Sequence, residues 1–154
     1  MIKLMISIGV CLLGGFVGSF FAASSIGSWY EHLKKPVLNP PAWIFAPVWT
    51  MLYIMIGVSA FLVWRRKPRG KDIRIALVLF LVQLLLNFFW SPVFFGMRSP
   101  SLSLVIIILM WQTILATIII FYRISIPAAY LLVPYFIWVS FATYLNAGIY
   151  YLNR

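Results

Sequence analysis

Five long stretches of this chain carry no charge: the intervals between Lys3 and Glu31, Lys35 and Arg65, Arg74 and Arg98, Arg98 and Arg123, and Arg123 and Arg154. Each exceeds the ~20 residues that a helix needs to cross ~30 Å of hydrocarbon at ~1.5 Å per residue. Lipid offers no partner for backbone N–H and C=O groups, so such runs must become helices or close into a barrel. Barrel strands alternate apolar and polar residues over about ten positions. Runs such as "IALVLFLVQLLLNFFW" do not alternate. The expected fold is therefore an all-α integral membrane protein, a compact bundle of five transmembrane helices in a single domain over residues 1–154. The predicted spans are roughly Leu4–Ile26, Ala42–Trp64, Ile73–Phe95, Leu102–Tyr122 and Ile126–Tyr151. Short separators, "RSPS" and "RIS", force neighbouring helices antiparallel, and Pro127 suits a first helical turn.

Composition excludes a water-soluble alternative. The chain is 64% hydrophobic and 9% charged, against roughly 45–50% and ~25% for soluble domains. Its only acids are Glu31 and Asp72. The first apolar run, from Leu4 to Phe21, is longer than the ~7–15 residues of a signal-peptide core, so it is read as a retained helix.

The basic residues set an orientation. Lys3, Arg65, Arg66, Lys67, Arg69, Lys71, Arg74 and Arg123 fall on one side, and Lys34, Lys35, Arg98 and Arg154 on the other. The excess marks the cytoplasmic side. The amino terminus and the basic 65–74 loop are expected inside, and the 27–41 loop and carboxyl terminus outside. The net charge of +10 then serves topology and contact with the lipid bilayer, and no nucleic-acid partner is expected.

Several chemistries lack their parts. Cys11 is the single cysteine and His32 the single histidine, so no metal site is expected. No ionisable carboxylate or amine lies within a span, which disfavours a proton path through the membrane. The chain has no nucleophilic triad, carboxylate pair or phosphate-binding glycine loop. What the spans carry instead is aromatic and neutral-polar. Gln83, Asn87, Trp90 and Ser91 recur at helical spacing in the third span; Tyr135, Trp138, Ala142, Leu145 and Asn146 do so in the fifth, and Trp49, Tyr53 and Ile56 in the second. Such stripes should face protein rather than lipid. Two readings are open at this point: interhelical hydrogen bonding with aromatic packing, or a cavity walled by indoles and phenols for a flat apolar ligand. Trp64 beside Arg65 and Tyr122 beside Arg123 read as interfacial belt residues.

The blocks "WYEHLKKPVLNPPAWIFAPVWTMLY", "QLLLNFFWSPVFFG" and "PYFIWVSFATYLN" resemble the TspO/peripheral-type benzodiazepine receptor family of tryptophan-rich sensory and translocator proteins. The resemblance runs through all five spans, from Phe16 to the "YLN" near the end. It implies a five-helix membrane protein, commonly a homodimer, in a bacterial plasma membrane. The implied ligands are porphyrins, notably protoporphyrin IX, and drug-like molecules of the benzodiazepine-receptor type. Porphyrin is implied as a ligand, with no prosthetic group or other cofactor. An alternative implied by the family is transport of porphyrin or sterol-like ligands.

The resemblance places a pocket among the second, third and fifth helices under the loop after the first. Trp49, Asn87, Trp90, Ser91, Trp138 and Ala142 match its wall, and Tyr30 and Pro40 its cover. With Tyr53, Gln83 and Tyr135 from the same stripes, these are the candidate ligand-binding residues. Trp49 and Trp138 are also candidates for a photochemical role, because several bacterial members promote light-dependent porphyrin breakdown and indole is readily oxidised. Pro36, Pro40, Pro41 and Pro47 fix φ near −65° and remove donors, which would stiffen a lid over 27–41. Pro47 either opens the second helix or kinks it. Trp43 suits the interface and Trp49 the pocket. Lys34 or Lys35 could meet a porphyrin propionate at the mouth. Two weaker patterns are Leu145, Tyr150 and Arg154, which fit a proposed cholesterol motif, and Gly14 with Gly18, a G-x-x-x-G pair suited to packing within the protomer or to dimerisation.

Overall fold

The computed structural model describes residues 1–66 and 71–154. Lys67 and Arg69 of the basic loop, and the side chain of Lys71, lie outside the described residues. Five helices follow one another: α1 (Ile2–Ile26), α2 (Phe45–Arg65), α3 (Lys71–Ser91), α4 (Pro100–Ile124) and α5 (Ile126–Leu152). All five are long and apolar enough to cross a membrane. Against the sequence expectation, α1, α3 and α4 begin two residues earlier, at Ile2, Lys71 and Pro100, and α2 begins three later, at Phe45. Pro100 takes the first turn, and Ser99 Oγ caps it by accepting from Leu102 N at 3.4 Å, so the turn-like "RSPS" is already half helix.

α1 packs on α2 and α3, α2 on α5, α3 on α4, and α4 on α5. The helices thus close a ring in the order α1, α2, α5, α4, α3. Lipid tails are as apolar as the helices, so close backbone approach and interhelical hydrogen bonds must hold the ring. A Cβ on Gly57 of α2 would fall 2.6 Å from Ile8 Cα of α1, and one on Gly14 would enter the ring of Phe88 on α3. Gly18 lies against Ser91 of α3. The Gly14–Gly18 pair is therefore used for packing inside the protomer. Hydroxyls add the polar ties: Ser59 Oγ donates to Ala128 O at 2.7 Å, joining α2 to α5, and Ser91 Oγ donates to Gly18 O at 2.8 Å. Bonds of this kind are worth about 0.6 kcal/mol each in membrane bundles.

Prolines decide two local features. A 3-10 turn, Ala42–Ile44, leads into α2, and Pro47 is the third residue of that helix. It therefore opens the helix, where a missing N–H removes no internal bond, rather than kinking it. In α3, Pro92 has no N–H for the preceding turn, and the α-helix gives way to a π segment, Pro92–Gly96. Met97 N then reaches Pro92 O at 2.9 Å. Arg98 follows with φ 52°, in the left-handed region.

Trp43, Trp64 and Tyr122 are exposed. Trp111 is a tie between helices: its Nε1 donates to Ser140 Oγ at 2.7 Å, and its ring leans on Phe136. Leu145 is buried in the core, so the leucine of the proposed cholesterol motif is turned away from any ligand on the outer surface.

Candidate functional site

Between α2, α3 and α5 the stripes converge at the ring's centre. Tyr53 Oη donates to Asn87 Oδ1 at 2.5 Å, Asn87 Nδ2 to Tyr135 Oη at 2.8 Å, and Tyr135 Oη to Gln83 Oε1 at 2.9 Å. Each member both completes its neighbour and is held by it, a relay that fixes three helices in register. Tyr135 is 0% and Gln83 1% exposed, so the side chains themselves fill this level. Trp49 lies on top, its ring stacked on Tyr53 at 5.5 Å and 28° and set edgewise to Tyr135 at 6.3 Å. Ala142 is buried in the same core.

Two donors in this region are buried without a partner: Gln83 Nε2 and Trp138 Nε1. An unpaired buried donor costs about 1–3 kcal/mol. Gln83 spends its carbonyl oxygen on Tyr135, which leaves the amide nitrogen over. Trp138 packs its ring between Phe45 and Phe141, neither of which can accept a hydrogen bond in the ordinary sense.

Trp90 belongs to a second cluster nearer the loop. Its ring stacks on Phe94 at 5.3 Å, its edge meets Phe95, and its Nε1 donates to Asn146 Oδ1 at 3.0 Å. Tyr30 comes down from the loop onto Phe94 and Phe95. Ser91 joins neither cluster. At about 100° per residue it sits some 80° around α3 from Gln83, which turns it to α1 and Gly18.

The 27–41 loop covers this end. Its 3-10 turn, Tyr30–His32, buries Tyr30, and Tyr30 Oη donates to Asn39 Oδ1 at 3.1 Å. Burial pushes the Tyr30 phenol above its ordinary pKa, and the bond to Asn39 offsets part of that. It therefore remains a neutral donor at physiological pH. Lys35 Nζ lies 4.7 Å over the Tyr30 ring and donates to Glu31 O and Leu33 O. A lysine has three N–H donors, so one is left. A cavity of about 370 Å³ opens here, bordered by Ile26, Tyr30, Glu31, Lys35, Asn39 and Pro40.

The far side of the loop is latched. Lys34 N donates to Asn153 Oδ1 at 2.9 Å, and Asn153 Nδ2 donates back to Lys34 O at 2.8 Å. Beside this clasp Pro36 rests on Gly148 of α5, where a Cβ would fall 2.9 Å from the proline ring. At the loop's root, Ser25 Oγ donates to Phe95 O at 2.9 Å.

The eleven candidate residues thus divide by position. Trp49, Tyr53, Gln83, Asn87, Tyr135 and Ala142 form the inner core; Trp90 and Tyr30 join the upper aromatic cluster; Pro40 borders the mouth, Trp138 stands against Phe45, and Ser91 ties α3 to α1. Sequence reasoning missed Phe45, Phe94, Phe95, Asn39 and Asn153. Phe94 and Phe95 escaped because the π segment departs from helical periodicity. A proline directly after the "NFFWS" stripe was the available signal. Among the described residues no group of three or more potential metal ligands occurs. His32 is exposed with Nδ1 2.6 Å from Ser28 O, and Cys11 is buried.

Comparison with known proteins agrees with this architecture along the whole chain. The model of the TspO/MBR family matches residues 7–152. A tryptophan-rich protein TspO from Chlorobaculum tepidum is 47% identical over 152 residues, covering 99% of this chain and 96% of the relative. The human translocator protein is 40% identical over 135 residues, 87% and 80% of the two chains. A tryptophan-rich sensory protein from Cereibacter sphaeroides is 39% identical over 118 residues, 77% and 72%. This ring of five apolar helices, with its aromatic stripes turned inward and residues 7–152 matched by the family model, belongs to the TspO/MBR family of integral membrane proteins.

Proposed function

We propose that this chain is a membrane receptor for porphyrins, protoporphyrin IX among them, and for drug-like ligands of the benzodiazepine-receptor type. The observation that carries this reading is the pair of unpartnered donors, Trp138 Nε1 and Gln83 Nε2, beside the stacked Trp49–Tyr53 wall. Side chains fill this level, so in this reading a planar guest parts them to stack on the rings, and its carboxylate or carbonyl oxygens then satisfy the donors. Lys35, with one N–H to spare at the mouth, suits a propionate better than the exposed Lys34 does. The mouth cavity is near the small end of the ~300–1,000 Å³ typical of ligand sites, so a tetrapyrrole must displace the lid to enter. Porphyrin is a ligand in this reading, not a resident cofactor.

The protein works as a sensor in the cytoplasmic membrane of its cell, its basic end inward and its lid outward, as a homodimer. Gly14 and Gly18 are occupied inside the protomer, so the dimer uses other surfaces. Trp49 and Trp138 would be the oxidisable groups in a light- and oxygen-dependent breakdown of the bound porphyrin. A second reading, movement of the ligand through or along the bilayer, draws support from the name of the human relative. It predicts porphyrin flux into liposomes, which binding alone does not produce.

The test is a titration of tryptophan fluorescence with protoporphyrin IX in the dark, for the wild type and Trp138→Phe. Saturable quenching with weaker affinity in the variant is expected. Non-saturable quenching by the wild type would refute the proposal.

A further inference from the structure

A second recess lies at the opposite, basic end of the bundle, between α1, α2 and α3. It holds about 650 Å³, within the ~300–1,000 Å³ of ligand sites. It exists because small side chains face it: Ser7 and Cys11 on α1, Ala60 on α2 and Ala76 on α3. We propose that it is a binding site for one phospholipid with an anionic head group, drawn from the surrounding leaflet.

The shape of the recess is the first reason. Its α1 wall runs from Lys3 to Cys11 and its α3 wall from Ile73 to Leu84, which at 1.5 Å per residue is about 12–16 Å of depth. That is half of a ~30 Å hydrocarbon core, the length of one leaflet's acyl chains. A transmembrane helix of a second copy would need a face running the full thickness.

Polarity is the second reason, because it changes along the groove in the same direction. Lys3 stands at the rim with Nζ 4.9 Å over the Trp64 ring; below Ser7 the α1 and α3 walls are apolar apart from the Cys11 thiol. Ser7 Oγ is spent on Lys3 O at 2.9 Å. Arg65, Arg66 and Arg74 are exposed at this end, with Asp72 the one acid among the described residues there. An anionic phosphate at the rim and a hydrocarbon chain beneath it complement this gradient. A second protomer would instead bring its own Lys3 against this one. The indole under Lys3 holds the ammonium at the level where the phosphate would sit.

Native mass spectrometry of the detergent-extracted protein, offered equal dioleoylphosphatidylglycerol and dioleoylphosphatidylcholine, tests this directly. The wild type should retain one phosphatidylglycerol per protomer in preference to phosphatidylcholine. Lys3→Gln should lower that preference about fivefold, the effect of one lysine at an anionic surface. Leu81→Trp, on the exposed wall of the groove, should reduce retention of both lipids. All three proteins should keep their helical circular dichroism and their dark porphyrin titration, which separates this site from the one under the lid. Equal retention of the two lipids by the wild type would overturn the proposal. So would an undiminished preference in Lys3→Gln, or a Leu81→Trp variant that keeps its lipid but changes oligomeric mass.

Discussion

Replacing Asn153 with alanine removes both hydrogen bonds that clasp the lid to the end of α5. Each joins a side-chain amide to the Lys34 backbone, at 2.9 and 2.8 Å. A neutral hydrogen bond contributes about 0.5–1.5 kcal/mol net, and both of these are solvent-exposed, so the lower half of that range applies. Their sum, about 1–2 kcal/mol, corresponds to a factor of roughly 5–30 in the balance between latched and open lid. If the lid must open for a guest to leave, protoporphyrin IX should dissociate faster by about that factor. Recovery of tryptophan fluorescence after dilution, followed by stopped flow, measures it. Asn153→Asp keeps an acceptor for Lys34 N but loses the donor to Lys34 O, so it should fall between wild type and alanine. The same amide also donates to Ile149 O, which confines any secondary effect to the last turn of α5, and the melting temperature should hardly move. Dissociation rates within twofold of wild type would refute the idea that this clasp gates the site.

Three further outcomes follow from the same geometry. Tyr135→Phe strands Asn87 Nδ2 and Gln83 Oε1 in the core, so it should cost about 1–3 kcal/mol and lower the melting temperature, whereas Tyr122→Phe, on the exposed belt, should not. Gly57→Ala drives a methyl to within 2.6 Å of the Ile8 backbone; overpacking of this kind costs about 1–3 kcal/mol, and an unchanged unfolding midpoint in a detergent titration would contradict the α1–α2 seam described above. At full porphyrin occupancy under illumination, Trp49→Phe and Trp138→Phe should slow pigment breakdown, and wild-type rates would remove the indoles from the photochemistry.

The number of helices and their spans could be read from charge spacing alone, because lipid imposes a length and a backbone rule that soluble folds escape. The inner relay was half legible: spacing brought Gln83 and Asn87 onto one face and Tyr135 onto another, but not which oxygen each would bind. Periodicity also could not tell a filled interior from a hollow one, since both demand inward polar groups; here the Tyr53–Asn87–Tyr135–Gln83 bonds fill it. Ser91 fell outside the cluster because a residue eight positions on has drifted around the helix. The latch at Asn153 had no local signal at all. It joins positions 119 residues apart, and only the ring closure of α2, α5 and α1 brings them together.

The π segment from Pro92 to Gly96 has a mechanical consequence. Its bonds reach one residue further than those of an α turn, so it stores one extra position with little added rise. The segment is the last helical turn before the chain bends at Met97, so the wider turn displaces Phe94 and Phe95 themselves from the positions an α turn would give them, and in those places they meet Tyr30. Deleting a single residue there would leave the helix long enough for its membrane yet turn Phe94 and Phe95 out from under Tyr30.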